Sequence, residues 1–98
     1  MEIIIKEKSS KGVLRLTMNN LDQKNALSDE MISVLTDELE DASSDRSSRV
    51  IVLAANGNVF SSGHDLKEIT AARENDDSGE ASFKKLFYHC SKLMQLIV

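Results

Sequence analysis

The stretch Arg49-Val50-Ile51-Val52-Leu53-Ala54-Ala55, continuing through Val59-Phe60-Ser61-Ser62-Gly63-His64-Asp65-Leu66-Lys67-Glu68, decides how this chain reads. Its first part is an apolar, β-branched run and predicts a buried strand. Its second part ends on residues able to open a helix, so the join is a strand-to-helix turn. Ser61, Ser62 and Gly63 are small, and small residues let a ligand come close to the backbone. The peptide N–H groups just beyond Gly63 are expected to lie unpaired at a helix N-terminus, which favours negative charge. The turn is therefore expected to bind an oxygen that becomes negative during a reaction.

Upstream, residues 43–48 form a polar turn of mixed charge. Before it, Met31, Ile32, Leu35, Leu39 and Ala42 repeat at helical spacing. Ser28 suits the cap of that helix, and Asp29 and Glu30 suit its first turn. An amphipathic helix packed on a sheet accounts for this stripe better than a cofactor role does. Residues 19–25 form a polar loop. Residues 13–18 alternate, with Leu14, Leu16 and Met18 on one face and Val13, Arg15 and Thr17 on the other. A first strand spans residues 2–8, built on Ile3, Ile4 and Ile5, and Ser9-Ser10-Lys11-Gly12 turns it into a hairpin. Strand 13–18, the helix and strand 50–55 make a βαβ unit with a right-handed crossover.

Downstream, a short helix is expected over residues 66–73. Residues 74–80 are acidic and polar with no apolar anchor, which predicts a mobile loop. Phe83, Leu86, Phe87, Cys90, Leu93, Met94 and Ile97 then recur at three- and four-residue steps, the clearest helix in the chain. That helix runs to Val98 without a cap signal. Strand 50–55 is apolar on both faces and asks for neighbours on both sides. Three strands and two main helices supply only one thin layer of cover, so the chain is expected to open a larger domain.

A length of 98 residues bounds the chain to one small domain. With 41% hydrophobic and 29% charged residues it is an ordinary globular sequence rather than a disordered one. A net charge of −4 speaks against broad nucleic-acid binding, yet it allows a local basic site for a phosphorylated ligand. The single cysteine, Cys90, leaves no internal disulfide framework. No apolar run is long enough to span a bilayer, so no membrane partner is expected. Residues 1–6 carry neither a secretory nor a transit pattern. Cytoplasm is the expected location, with mitochondria the alternative if a presequence has been removed.

Other residues invite functional readings that plainer ones outweigh. His64 and Asp65 lack a third ligand, so no metal site is expected, and Asp65 suits a helix cap. Ser61 and Ser62 are not set in a Gly-X-Ser-X-Gly elbow, so they are read as small packing residues rather than nucleophiles. Cys90 falls on the apolar stripe and is read as core, and His89 as surface. Glu68 is read as part of a solvated helix face.

Two motifs in order carry a resemblance. Leu16-Thr17-Met18-Asn19-Asn20-Leu21-Asp22-Gln23-Lys24-Asn25-Ala26-Leu27 resembles the first signature of the crotonase (enoyl-CoA hydratase/isomerase) superfamily. The apolar strand 50–53 with Phe60-Ser61-Ser62-Gly63-His64-Asp65-Leu66-Lys67 resembles the second. Within that superfamily the wording Ser-Ser-Gly-His-Asp-Leu-Lys-Glu, with Cys90-Ser91-Lys92-Leu93-Met94 downstream, is similar to the enoyl-CoA hydratase domain-containing protein 3 group. Leu21 stands where the family usually has proline, and Asn20 where it has arginine.

The resemblance implies an α/β fold. It would be the N-terminal part of the crotonase (ClpP-like) ββα-repeat spiral: a hairpin, a βαβ unit and a C-terminal helix. Residues 1–98 would form a partial acyl-CoA-binding domain that stops before the segment bearing the second oxyanion donor. Family members hold a thioester oxygen with two backbone N–H groups and stabilise an enolate, and one such donor is worth about 10² to 10³ in rate. By resemblance the first donor is the N–H of His64, and Gly63 leaves room for the acyl group. The Ser62 carbonyl would accept from the adenine amino group. Lys24 and Lys67 would lie near the phosphates of coenzyme A, with Ala26, Asp65 and Leu66 completing the binding set. No cofactor is implied beyond the coenzyme A of an acyl-CoA substrate. Full-length relatives are expected as homotrimers or dimers of trimers. The isolated 98 residues are expected to lack activity, because the acid/base carboxylates lie later in the family. The alternative is a truncated, non-catalytic binding or assembly module that pairs with a complete family member.

Overall fold

Alternation along residues 13–18 aims Leu14, Leu16 and Met18 at one face, and all three are buried in the computed structural model, which describes residues 2–75 and 77–97. Strand β2 (Val13–Met18) is the centre of a three-stranded sheet of order β1-β2-β3. Strand β1 (Ile4–Lys8) pairs with it antiparallel, Ile4 opposite Met18 and Lys8 opposite Leu14. Strand β3 (Val50–Ala55) pairs with it in parallel, Val13 opposite Val50 and Met18 opposite Ala55. The first strand thus begins at Ile4 rather than Glu2. The hairpin turns at Gly12, at φ +89°, and the Gly12 carbonyl accepts from the Arg49 and Val50 amides at 2.7 and 3.2 Å. One turn therefore starts β2 and aligns the entry of β3.

Helix α1 (Asp29–Ser44) makes the crossover from β2 to β3. It starts where Ser28 Oγ accepts the Met31 N–H at 3.1 Å. Its buried residues are Met31, Ile32, Leu35, Leu39 and Ala42, the stripe that the sequence predicts. They form one core with the inward face of β2 and with Leu86 and Leu93 of helix α3 (Glu80–Ile97). Helix α2 (Leu66–Ala72) is short and ends at Arg73.

Three expectations need correction. Helix α3 begins at Glu80, before the first residue of its apolar stripe. Asp77 is the cause: its carboxylate accepts the Gly79 and Ala81 N–H groups at 3.0 and 2.9 Å. Part of the stretch read as a mobile loop is thus a fastened helix entry, with Gly79 buried at φ +89°; Asp76 of that stretch lies outside the described residues, as do Met1 and Val98. Strand β3 is apolar but is not enclosed: among the described residues it is a sheet edge, with Val50 55% and Ile51 41% exposed. On α3, Phe87, Met94 and Ile97 are also exposed, at 57%, 43% and 52%.

Candidate functional site

Parallel pairing of β2 with β3 brings their C-terminal ends, Met18 and Ala55, side by side. The two loops that follow, residues 19–28 and 56–65, therefore leave the sheet together. The polar composition of the first loop is used up in local turns. Leu21–Gln23 form a 3₁₀ turn, and Lys24 and Asn25 both take left-handed backbone, at φ 52° and 53°. Asparagine accepts that conformation at lower cost than most residues. The side chain of Asn25, fully buried, then crosses to the second loop. Its Nδ2 donates to the carbonyls of Asn56 and Val59 at 3.0 and 3.2 Å, and its Oδ1 accepts the Asn20 N–H at 2.8 Å.

The return contacts come from the small residues. Ser61 Oγ donates to the Asn25 carbonyl at 2.8 Å and accepts the Gly63 N–H at 3.1 Å. The Ser62 N–H donates to the Lys24 carbonyl at 3.1 Å. The Leu27 N–H donates to the Gly63 carbonyl at 2.6 Å, and Leu27 and His64 form an isolated parallel bridge. Ser61 is thus more than a small packing residue; its hydroxyl is a tie between the loops.

This bonding decides which backbone groups are left over. Among the described residues, the His64 N–H and the Ser62 carbonyl have no protein hydrogen-bond partner. The helix that follows is already capped, because Asp65 Oδ1 accepts the Lys67 N–H at 2.9 Å. The expectation of free amides beyond Gly63 therefore holds in part: besides His64, the Leu66 and Glu68 N–H groups of the first helical turn have no protein partner among the described residues, while the cap takes the Lys67 N–H. Gly63 has φ +84°, and a Cβ there would meet nothing within 4 Å. Glycine is required at this position by its backbone, and the space beside it is open.

A cleft of about 270 Å³ lies between the loops, lined by Asp22, Gln23, Lys24, Ala26, Ser62, His64, Asp65, Leu66 and Lys67. Every residue singled out from the sequence for binding or catalysis lines it, except Gly63, which sits between two that do. Both lysines reach it, and among the described residues neither forms an ion pair. Asp65, the helix cap, and Asp22 line the same cleft, so the two lysines share it with two carboxylates. The His64 ring turns towards α3, edge-on to Phe87 at 6.0 Å between centroids, with Nδ1 buried and unpartnered.

Three structural roles near the site are not visible in the sequence reading. Asn25 is the buried junction of the two loops. Asp22 and Gln23 line the cleft only because the 3₁₀ turn carries them there. Glu68 is half-buried rather than on a solvated face, and its carboxylate accepts the Asp29 N–H at the start of α1, at 3.1 Å. Burial pushes the Glu68 carboxyl above the usual glutamate range, the charges of Asp29 and Asp65 push the same way, and the Asp29 N–H bond holds it back. Elsewhere, Cys90 is half-buried against the core, and His89 is half-buried beside a groove between α1 and α3 rather than fully exposed.

A family model described as Enoyl-CoA hydratase/isomerase matches residues 8–98. The chain belongs to the enoyl-CoA hydratase/isomerase family. Family relatives include the enoyl-CoA hydratase domain-containing protein 3, mitochondrial, of Xenopus laevis, 44% identical over 85 residues, which are 87% of this chain and 27% of that protein. The protein of the same name from Homo sapiens is 40% identical over 87 residues, 88% of this chain and 27% of that one. Among solved structures, an enoyl-CoA hydratase of Mycobacterium smegmatis superposes with a TM-score of 0.90 at 35% identity, covering 99% of this chain and 36% of its own. The human domain-containing protein 3 superposes with a TM-score of 0.79 at 33% identity, over 96% of this chain and 35% of its own. The chain thus has the crotonase fold of the family and spans about a quarter of the length of these curated relatives. Among the described residues no helix is long and apolar enough to cross a membrane.

Proposed function

We propose that the cleft binds the coenzyme A part of an acyl-CoA thioester, and that the His64 N–H donates to the thioester oxygen. One observation carries this reading. The loop bonding consumes the Ser62 and Gly63 amides and leaves the His64 amide unpaired among the described residues, beside open space at Gly63. A backbone donor held by its neighbours needs no reorganisation when negative charge develops, which is what enolate stabilisation demands. The free Ser62 carbonyl would accept from the adenine amino group, and Lys24 and Lys67 would face the phosphates. Ala26 and Leu66 would supply the apolar wall, and Asp65 would hold the turn.

The reaction supported by this site is proton transfer next to a thioester, as in hydration or isomerisation of an enoyl-CoA. The 98 residues hold one donor of the pair, and Glu68 lies outside the cleft lining, where it accepts the Asp29 amide. The isolated polypeptide is therefore read as binding without turnover. Titration of the ¹⁵N-labelled chain with coenzyme A tests the site: shifts centred on Lys24, Ser62, His64 and Lys67 are expected. Binding absent at millimolar ligand, or centred on another surface, would sink the reading. Measurable turnover of a short enoyl-CoA by the same polypeptide would sink the claim of inactivity.

A second reading, a non-catalytic module that pairs with a complete relative, is favoured by the uncovered β3 edge and α3 face. Light scattering of the chain mixed with such a relative separates the two. For location, the mitochondrial names of the vertebrate relatives favour the mitochondrial alternative over cytoplasm; cell fractionation of the source organism decides.

A further inference from the structure

We propose that Asn25 is a positioning residue of the cleft: it sets the register between the lysine-bearing loop and the Ser62–His64 turn. The affinity part of this inference rests on the coenzyme A reading above; the structural part does not. No side chain near the cleft is better placed. Asn25 is 0% exposed, and its carboxamide is the only fully buried polar side chain among the largest of the described residues. Its orientation is fixed by chemistry. The Nδ2 group faces two carbonyls, of Asn56 and Val59, and the Oδ1 atom faces the Asn20 N–H. Turning the amide over would set carbonyl against carbonyl twice and N–H against N–H once.

The consequences reach the cleft through the backbone on either side. The Asn25 carbonyl takes the Ser61 hydroxyl, its neighbour Lys24 takes the Ser62 amide, and Leu27 gives its amide to Gly63. These bonds bind residues 24, 25 and 27 to residues 62, 61 and 63 in a fixed stagger. A shift of one residue would leave the Ser62 carbonyl bonded and the His64 amide out of place. The carboxamide is the part of this seam that neither backbone can supply. Asparagine is also suited to the left-handed backbone that the stagger requires, at φ 53°. Aspartate would keep the shape and the acceptor but set a carboxylate against two carbonyls. Leucine or alanine would leave the Asn20 N–H and the Asn56 and Val59 carbonyls without this partner.

Two substitutions in the 98-residue chain test this: Asn25→Gly, which keeps the left-handed backbone, and Asn25→Asp, which keeps the shape. Amide exchange is read by NMR, and coenzyme A affinity by calorimetry well below the unfolding temperature. The Leu27 and Ser62 amides are expected to exchange at least about tenfold faster, while the Ile32 amide of α1 keeps its parental protection relative to global unfolding. Coenzyme A affinity per folded molecule should fall by about tenfold or more, a drop that a purely stabilising residue would not produce. Parental protection at Leu27 and Ser62 in a folded variant overturns the proposal. So does unchanged affinity where the parent chain binds.

Should neither variant fold, the unmodified chain decides. Its Asn25 side-chain amide protons must be protected and must open together with the Leu27 and Ser62 amides; exchange at the rate of an exposed carboxamide overturns the proposal. A parent chain that binds no coenzyme A, yet shows this concerted opening, overturns the functional reading alone.

Discussion

Gly63 shows how a single residue can be required by its backbone while its surroundings stay empty. Its φ of +84° excludes a Cβ on conformational grounds, and no neighbour lies within 4 Å of where one would stand. Gly63→Ala should therefore destabilise the chain by about 1–2 kcal/mol from backbone strain, read as a lower urea midpoint with an unchanged slope. On the proposed reading, Lys24 and Lys67 act by charge instead. Replacing both with alanine should weaken coenzyme A binding and flatten its dependence on salt, measured by titration at low and high ionic strength. Their placement at or beside the cleft was legible because the signals are local: a glycine among small residues, and basic residues in or next to the loops. Asn25 was not, because its Nδ2 partners lie 31 and 34 positions away and no local pattern announces them. Nothing in the sequence marks which asparagine of a polar loop will be buried.

Among the elements, α1 was the most legible, since both its stripe and its cap are short-range features. Ser28→Ala should cost about 1 kcal/mol, checked by thermal or urea unfolding, because the Met31 amide then loses its partner. The start of α3 was missed because Asp77 precedes the apolar stripe and caps from outside it. Glu68 was misread for a related reason: the helix pattern marks a polar face but cannot show that this face meets the start of α1. Its carboxyl is raised in the folded chain, so the folded state holds its proton more tightly than the unfolded state does. Stability from this group is present below the ordinary glutamate pKa and is lost as pH rises through the raised value. Glu68→Gln keeps an acceptor for the Asp29 amide and removes that titration. The variant should gain on its parent as pH rises from acid towards neutral, measured as the difference between their unfolding midpoints.

For the molecule as a whole, the hairpin, the crossover and the parallel pairing were legible because each follows from alternation or from spacing. The exposure of β3 was legible only as a shortage of cover: its apolar run reads as a buried strand, but three strands and two main helices are too few to enclose it. Val50 and Ile51 on the sheet edge, and Phe87, Met94 and Ile97 on α3, are exposed apolar side chains. The 98-residue chain should therefore bind 8-anilinonaphthalene sulfonate and associate as its concentration rises, despite a net charge of −4. Ile51→Lys, which charges the edge strand, should reduce the association seen by light scattering.

The parallel pairing of β2 with β3 also fixes a sequence of events in time. Just past the strand ends, Asn56 Nδ2 meets Asn19 Oδ1 across 37 positions of chain. Hairpin β1–β2 and helix α1 are assembled from neighbours and can form early, whereas the loops around the cleft meet only after the crossover has closed. The ties between those loops then belong to the late side of the folding barrier. Weakening them should quicken unfolding more than it slows folding, so the cleft is the last part of the chain to be built and the first to come undone.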